Sequence, residues 1–212
     1  MIRRFISPWG IFAVNVVLIA LVLAFTPLES TLGASIRLVY FHGAWVWVGM
    51  AAFGAAALTG LGGFILRHWF HPAWAGRLPA WTLALGRTGL FFWVTYLPMS
   101  LVVMQATWGG FFLSEPRFQV GLTFAVVGVL LQAGFFLLDQ HDVVCLGSLV
   151  YGAALWEAVT RVNAVMHPES PVFTSDSLRI QLFFSALVVL LLLVGWQMAH
   201  GLVRRIKVHR PR

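Results

Sequence analysis

Residues 36–66 have the sequence IRLVYFHGAWVWVGMAAFGAAALTGLGGFIL, in which Arg37 is the only charged side chain. A helix of this length extends about 46 Å at 1.5 Å per residue, whereas the hydrocarbon core of a bilayer is about 30 Å thick. The second half is rich in glycine and alanine, and such small residues let helix backbones approach closely in lipid. The stretch predicts a membrane-spanning helix with tight neighbours, and it places His42 at or above one membrane boundary.

The whole chain has the composition of a membrane protein. Of its 212 residues, 60% are hydrophobic and 10% are charged, and the mean hydropathy is +0.87. Soluble domains are about 45–50% apolar and about 25% charged, so this composition excludes a soluble enzyme and a disordered chain. The formal charge of +7 comes from basic residues that flank apolar stretches, which predicts a membrane orientation and not a nucleic-acid partner.

Further apolar stretches are long enough to cross a bilayer as helices. They lie at about 9–26, 81–106, 118–138, 143–165 and 180–200. Together with 36–66 they predict an all-α integral membrane protein with six transmembrane helices in one domain, residues 1–212. The first stretch follows Arg3 and Arg4 as a signal peptide would, but no small-x-small cleavage site precedes Pro27, so we expect it to be retained.

The distribution of lysine and arginine predicts the orientation. Ten of these residues lie on the side that carries both termini, and four lie on the other side: Arg37, Arg117, Arg161 and Arg179. By the positive-inside rule, both termini are cytoplasmic and the chain is a multi-pass protein of the cell (inner) membrane.

The outer face is predicted to carry two histidines and an aromatic loop. Four crossings separate His42 from His167, and two separate His42 from the loop that follows Trp108 between the third and fourth helices, so all three lie on one side. Imidazole is a good axial ligand for haem iron, aromatic rings stack on a macrocycle, and arginines pair with propionates. The candidate residues are His42, His167, Arg37, Arg117, Phe41, Trp45, Trp47, Trp108, Phe111 and Phe112. Interfacial histidines and a belt of membrane-boundary aromatics are the alternative interpretation.

Other polar residues are expected to have structural roles. Glu157 precedes Arg161 by four residues, which favours a helical ion pair, with a proton or ligand role as the alternative. Cys145 is expected to pack inertly in an apolar run. The inner histidines are expected on a solvated or headgroup-facing surface, with a second metal or haem site as the alternative; they are His68, His71, His200 and His209.

Three segments resemble haem-handling proteins of cytochrome c maturation, the CcmC, CcmF and CcsA types. Residues 35–42, SIRLVYFH, are similar to the stretch that opens the second helix of the CcmC type. Residues 108–117, WGGFFLSEPR, are similar to its tryptophan-rich loop, and residues 166–170, MHPES, fall where that family has its second outer histidine.

The resemblance implies that His42 and His167 are the axial ligands of a non-covalent haem b on the periplasmic side. Trp108, Phe111 and Phe112 would form the aromatic shelf, and Arg37 and Arg117 would bind the propionates. The implied function is to hold haem and pass it to a haem chaperone or apocytochrome, beside an ABC transporter. No nucleophile with a base is evident, so haem handling is expected in place of covalent catalysis.

The loop departs from the family pattern in ways that matter chemically. Phenylalanine stands at Phe112, serine at Ser114 and glutamate at Glu115, where that family has tryptophan, tryptophan and aspartate. Phenylalanine can stack but lacks the indole N–H donor. This leaves a second hypothesis open, a membrane anchor or haem-bearing subunit of a respiratory or electron-transfer complex. A small-solute transporter has little support, since paired broken helices are absent from the pattern.

Overall fold

The structure of the chain is a computed structural model that describes residues 8–28, 32–162, 166, 172 and 175–206. Its helices are α1 (Pro8–Phe25), α2 (Ile36–Ile65), α3 (Pro72–Ala75), α4 (Leu78–Trp108), α5 (Pro116–Leu138), α6 (His141–Arg161) and α7 (Leu178–Arg205). A π-helical turn, Leu66–Phe70, continues α2. The described part contains no β-strand.

Five helical segments are long and apolar enough to cross a membrane. They are Ile36–Phe70, Pro72–Trp108, Pro116–Leu138, His141–Arg161 and Leu178–Arg205. The first apolar stretch also forms a helix, α1, which is shorter at 18 residues. The predicted all-helical architecture is thus confirmed for the described residues, five helices support the predicted membrane embedding, and the sixth span remains a prediction.

Several helix boundaries differ from the sequence prediction because proline can begin a helix. The stretches predicted at about 81–106 and 118–138 begin earlier in the structure, at Leu78 and Pro116, so that Pro79 and Pro116 each lie in a first helical turn. Proline fits there because the first backbone N–H groups of a helix have no partner within it. The stretch predicted at about 143–165 ends earlier in the structure. Helix α6 ends at Arg161 and Val162 is extended, while residues 163–165 lie outside the described part.

Small residues bring α2 close to its neighbours. A Cβ built on Gly49 would lie 3.3 Å from the ring of Trp93 in α4, and one on Gly60 would lie 2.5 Å from the carbonyl oxygen of Cys145 in α6. The helix therefore occupies the centre of the bundle, and Cys145 is 2% exposed there, consistent with the packing role expected for it.

The helices alternate in direction, which gives the bundle two distinct ends. α2 is antiparallel to α4, since Trp45 bonds the carbonyl of Phe92 and Thr82 bonds Thr59. One end, called the His42 end, carries the first turns of α2, α5 and α7 and the last turns of α1, α4 and α6. The opposite end is called the Arg67 end. Asn15 ties α1 to α7 by donating to the carbonyl of Leu190, 2.9 Å away.

Candidate functional site

His42 lies in the second turn of α2, in contact with α4. Its imidazole is half-buried, and its ring centroid is 5.8 Å from that of Tyr96, with 52° between the ring planes. His42 is six residues from the start of α2, which corresponds to about 9 Å along the helix. The imidazole is therefore held between α2 and α4, about 9 Å inside the His42 end of α2.

Trp45 lies one turn deeper and is locked into the same contact. Its indole Nε1 donates to Thr95 Oγ1 at 2.9 Å and to the carbonyl of Phe92 at 3.1 Å. Its ring lies 4.5 Å from Phe92 and 5.2 Å from Phe41, between centroids. The indole donor is engaged within the protein, so Trp45 supports the α2–α4 contact and offers a ligand only its ring.

The aromatic loop begins as α4 ends. Trp108 is the last residue of the helix, and Gly109 follows with a φ of 72°, a left-handed conformation that glycine adopts without strain and that commonly ends helices. Trp108 and Phe112 meet edge to face at 5.7 Å. Phe111 is 62% exposed and Phe112 36%, so the loop presents aromatic rings at the surface of the His42 end.

Glu115 closes this loop by capping α5. Its Oε2 accepts a hydrogen bond from the backbone N–H of Phe118 at 2.7 Å, as an acidic N-cap residue does. The side chain is 4% exposed, and its Oε1 is buried without a hydrogen-bond partner in the described part of the chain. The side-chain amide of Gln119 also donates to the carbonyl of Leu113. These bonds attach the loop firmly to the first turn of α5.

The two candidate propionate arginines have different surroundings. Arg37 Nη2 donates to the carbonyl of Ala24, 2.9 Å away, in the last turn of α1, where backbone carbonyls lack helical partners. Arg37 thus joins α1 to α2 and keeps further N–H donors for an anion. Arg117 is half-buried in the first turn of α5.

The candidate residues form two groups at different heights. Tyr96, which contacts His42, and Trp108 are twelve residues apart in α4, which corresponds to about 18 Å along the helix. His42 and Trp45 are brought together against α4, and Trp108, Phe111 and Phe112 are brought together in the loop above them. His167 lies outside the described residues, so its pairing with His42 stays a prediction.

Taken one at a time, the residue types suit a flat, apolar tetrapyrrole, while His42 and the loop rings lie at heights about 18 Å apart along α4. The described part of the chain holds no group of three or more His, Cys, Asp or Glu side chains that could bind a metal ion directly. A porphyrin supplies four nitrogen ligands itself, so the protein need contribute only axial ligands such as the His42 imidazole. Exposed rings and arginines at the same end suit the macrocycle and its carboxylates.

The histidines at the Arg67 end take part in structural contacts. Arg67 Nη1 lies 3.0 Å from His141 Nδ1, and His68 Nε2 lies 3.1 Å from a carboxylate oxygen of Asp142. These contacts join the π-helical turn to the start of α6. His71 Nδ1 accepts from the N–H of Ala73 and caps α3, while His209 lies outside the described residues.

An aromatic stack at this end was not expected from the sequence. Trp81, Trp196 and His200 lie with their ring planes within 29° of one another and their centroids 5.0–6.1 Å apart.

The predicted pair of Glu157 and Arg161 is confirmed as an ion pair on the exposed last turn of α6.

Sequence reasoning missed Tyr96 and Thr95, and it noted Glu115 as a loop residue but not as a buried helix cap. Tyr96 and Thr95 contact candidate residues only because of the register between α2 and α4, which no local pattern encodes. The signal for Tyr96 was its place one helical turn after Phe92, on the same buried face of α4. The signal for Glu115 was an acidic residue directly before Pro116 at a helix start.

Comparison with known protein families, with curated proteins and with solved structures finds no match to the chain. The likeness to haem-handling proteins in residues 35–42, 108–117 and 166–170 accordingly stands as a resemblance, and the function is proposed below.

Proposed function

We propose that the chain is a haem-binding membrane protein of c-type cytochrome biogenesis. It holds haem at the outer membrane surface and passes it to a haem chaperone or apocytochrome. The observation that carries the proposal is the half-buried imidazole of His42, held against Tyr96 at the same end of the bundle as the exposed rings of Phe111 and Phe112.

In this function haem is cargo, bound non-covalently as haem b. His42 and His167 would hold the haem, whose iron binds imidazole nitrogen. Tyr96 restricts the rotation of the His42 ring, and the bonded indole of Trp45 holds the α2–α4 contact one turn below. An axial ligand positioned in this way loses little side-chain freedom when it binds.

The loop serves as the exposed shelf. Phe111, Phe112 and Trp108 would offer rings to the macrocycle, and Arg37 and Arg117 would pair with its propionates. Phenylalanine contributes apolar contact without a hydrogen bond. The shelf would therefore bind its ligand mainly through buried apolar contact area. Weak binding at an exposed site suits a protein that releases haem to a chaperone. An ABC transporter is the further proposed partner.

The proposed topology has six spans, with α1 as the first and both termini in the cytoplasm of a cell-membrane protein. The His42 end then faces the extracytoplasmic side. Support comes from the ten-to-four distribution of lysine and arginine and from the length of α1, which at 18 residues extends about 27 Å.

The test is an absorption spectrum of the purified wild-type protein, with pyridine haemochrome analysis. We expect a low-spin spectrum typical of two histidine ligands, and we expect His42→Ala and His167→Ala each to abolish or strongly alter it. His71→Ala is the matched control, since His71 is an exposed histidine at the Arg67 end. An unchanged spectrum in both His42→Ala and His167→Ala would refute the site.

A second candidate function is a membrane anchor or haem-bearing subunit of a respiratory or electron-transfer complex. Phe111 and Phe112 favour this candidate, because the loop offers fewer indole rings to maturation partners that recognise tryptophan. Loss of mature c-type cytochromes after deletion, with transporter or chaperone subunits co-purifying, supports biogenesis. Normal c-type cytochromes and stable co-purification of redox subunits support the anchor.

A further inference from the structure

An open groove runs along the outside of the bundle between α4 and α5, remote from the aromatic loop. It is shallow and largely open, with a volume of about 320 Å³, and is lined by Arg87, Leu90, Phe91, Val94, Thr95 and Gln132. Its walls are apolar apart from polar groups at Arg87, Gln132 and Thr95, and Thr95 uses its hydroxyl in bonds with Phe91, Phe92 and Trp45. The groove therefore combines an apolar length with one basic end.

Arg87 is the charged residue at that end. It is half-buried in α4, and within the described residues it forms no hydrogen bond or ion pair. Arg67, Arg77 and Arg161, by contrast, each contact a carbonyl, a carboxylate or an imidazole. An arginine within a membrane-spanning helix that has no counter-charge in the described part of the chain favours an anion beside its guanidinium.

Gln132 supplies a second polar group beside Arg87. Its amide Nε2 lies 2.9 Å from the position that a Cβ on Gly86 would take, so the missing side chain of Gly86 makes room for the amide. Its Oε1 is buried without a hydrogen-bond partner in the described part of the chain. The side chain is thus held across from the residue before Arg87, with amide N–H groups available as donors.

Both groups lie near the Arg67 end of their helices. Arg87 is nine residues after Leu78, the first residue of α4, which corresponds to about 14 Å along the helix. Gln132 is six residues from Leu138, the end of α5, which corresponds to about 9 Å along the helix. A long arginine side chain can bridge that depth by extending toward the headgroups. Leu90, Phe91 and Val94 continue the groove from Arg87 toward the bilayer centre, so an amphipathic ligand would lie with its anionic head at Arg87.

We propose that this groove binds an anionic phospholipid from the leaflet at the Arg67 end. The guanidinium of Arg87 and the amide of Gln132 bind the phosphate, and one acyl chain lies over Leu90, Phe91 and Val94. Basic pockets between transmembrane helices bind anionic headgroups by the same charge pairing. None of these residues is assigned to haem binding. Lipid binding at this groove can therefore be tested independently of the proposed function.

Native mass spectrometry of the full chain, with phosphatidylglycerol and phosphatidylcholine of identical acyl chains, tests the site. We expect a preference of about fivefold for phosphatidylglycerol, the contribution of one basic side chain near an anionic lipid. Arg87→Gln should bring the two lipids to near-equal binding. Arg205→Gln is the matched control, since Arg205 is an exposed arginine in the last turn of α7, and it should keep the preference.

A second variant addresses the apolar part of the groove. Val94 is 39% exposed, so Val94→Trp fills the groove without disturbing the core or the charge, and it should reduce phosphatidylglycerol binding even if Arg87→Gln fails to fold. Equal binding of the two lipids by the wild type, or an unchanged preference in Arg87→Gln together with unchanged phosphatidylglycerol binding in Val94→Trp, would overturn the proposal.

Discussion

Single residues without side chains decide how closely these helices pack. Gly121 in α5 is the clearest case, because a Cβ built there would lie 1.3 Å from the hydroxyl oxygen of Tyr96. The same Tyr96 ring contacts His42, so the glycine indirectly sets the position of the candidate ligand. The indole of Trp93 donates to the carbonyl of Gly121 at 3.0 Å, which binds α4 to α5 at the same point.

We expect Gly121→Ala to destabilise the protein by about 1–3 kcal/mol, the usual cost of forcing extra volume into a packed interior. The measurement is unfolding by sodium dodecyl sulfate in detergent micelles, followed by circular dichroism. Gly134→Ala in the same helix is the control, since a Cβ at Gly134 meets nothing within 4 Å and alanine is the better helix former. Equal stability of the two variants would show that Tyr96 does not occupy this space.

Residue-scale features were only partly predictable. The ion pair of Glu157 and Arg161 follows from their spacing of four residues, which is a local helical property. The contact between His42 and Tyr96 and the hydrogen bond from Trp45 to Thr95 join residues about fifty positions apart. They depend on the rotation of one helix against another, and no local pattern specifies that rotation.

At the scale of the element, α2 is the helix on which the others assemble. Its small residues face α4 on one side and α6 on the other, and the tightest approach is Gly60 against the backbone carbonyl of Cys145. In lipid, where the hydrophobic effect does not drive helices together, this close packing supplies much of the attraction. The sequence predicted the tight packing of α2 but not its partners.

Gly60→Ala should separate α2 from α6, because a carbonyl of the α6 backbone cannot move aside as a flexible side chain can. We expect a loss of about 2 kcal/mol or more, within the range for overpacked sites. Gly62→Ala is the control on the same helix, where a Cβ would meet Leu78 at an ordinary 3.7 Å. Comparable unfolding midpoints for both variants would contradict the α2–α6 register.

For the whole molecule, the bundle has two chemically different ends. The His42 end presents exposed phenylalanines and a capped loop, while the Arg67 end carries the contacts of Arg67 and His68 with the start of α6 and an aromatic stack. The positive-inside rule predicts that the Arg67 end faces the cytoplasm.

This orientation can be tested by labelling single cysteines in a Cys145→Ser background. Ser114→Cys at the His42 end should react with a membrane-impermeant maleimide in cells whose cytoplasmic membrane is intact. Where the cells have an outer membrane, it is permeabilised first. Arg204→Cys should react only after the cytoplasmic membrane is opened; both positions are exposed. Labelling of Arg204→Cys in intact cells would reverse the proposed orientation.

The sequence by itself determined that the chain is helical and embedded in a membrane, and it located the apolar helices to within a few residues. It could do so because the length of an apolar stretch and the need to satisfy backbone hydrogen bonds in lipid are local properties of the chain. Only the tertiary structure decided that His42 meets Tyr96, that Glu115 is buried, and that Arg87 and Gln132 line one groove. Those contacts depend on the register and rotation of packed helices, which are set jointly by small and large side chains far apart in the sequence.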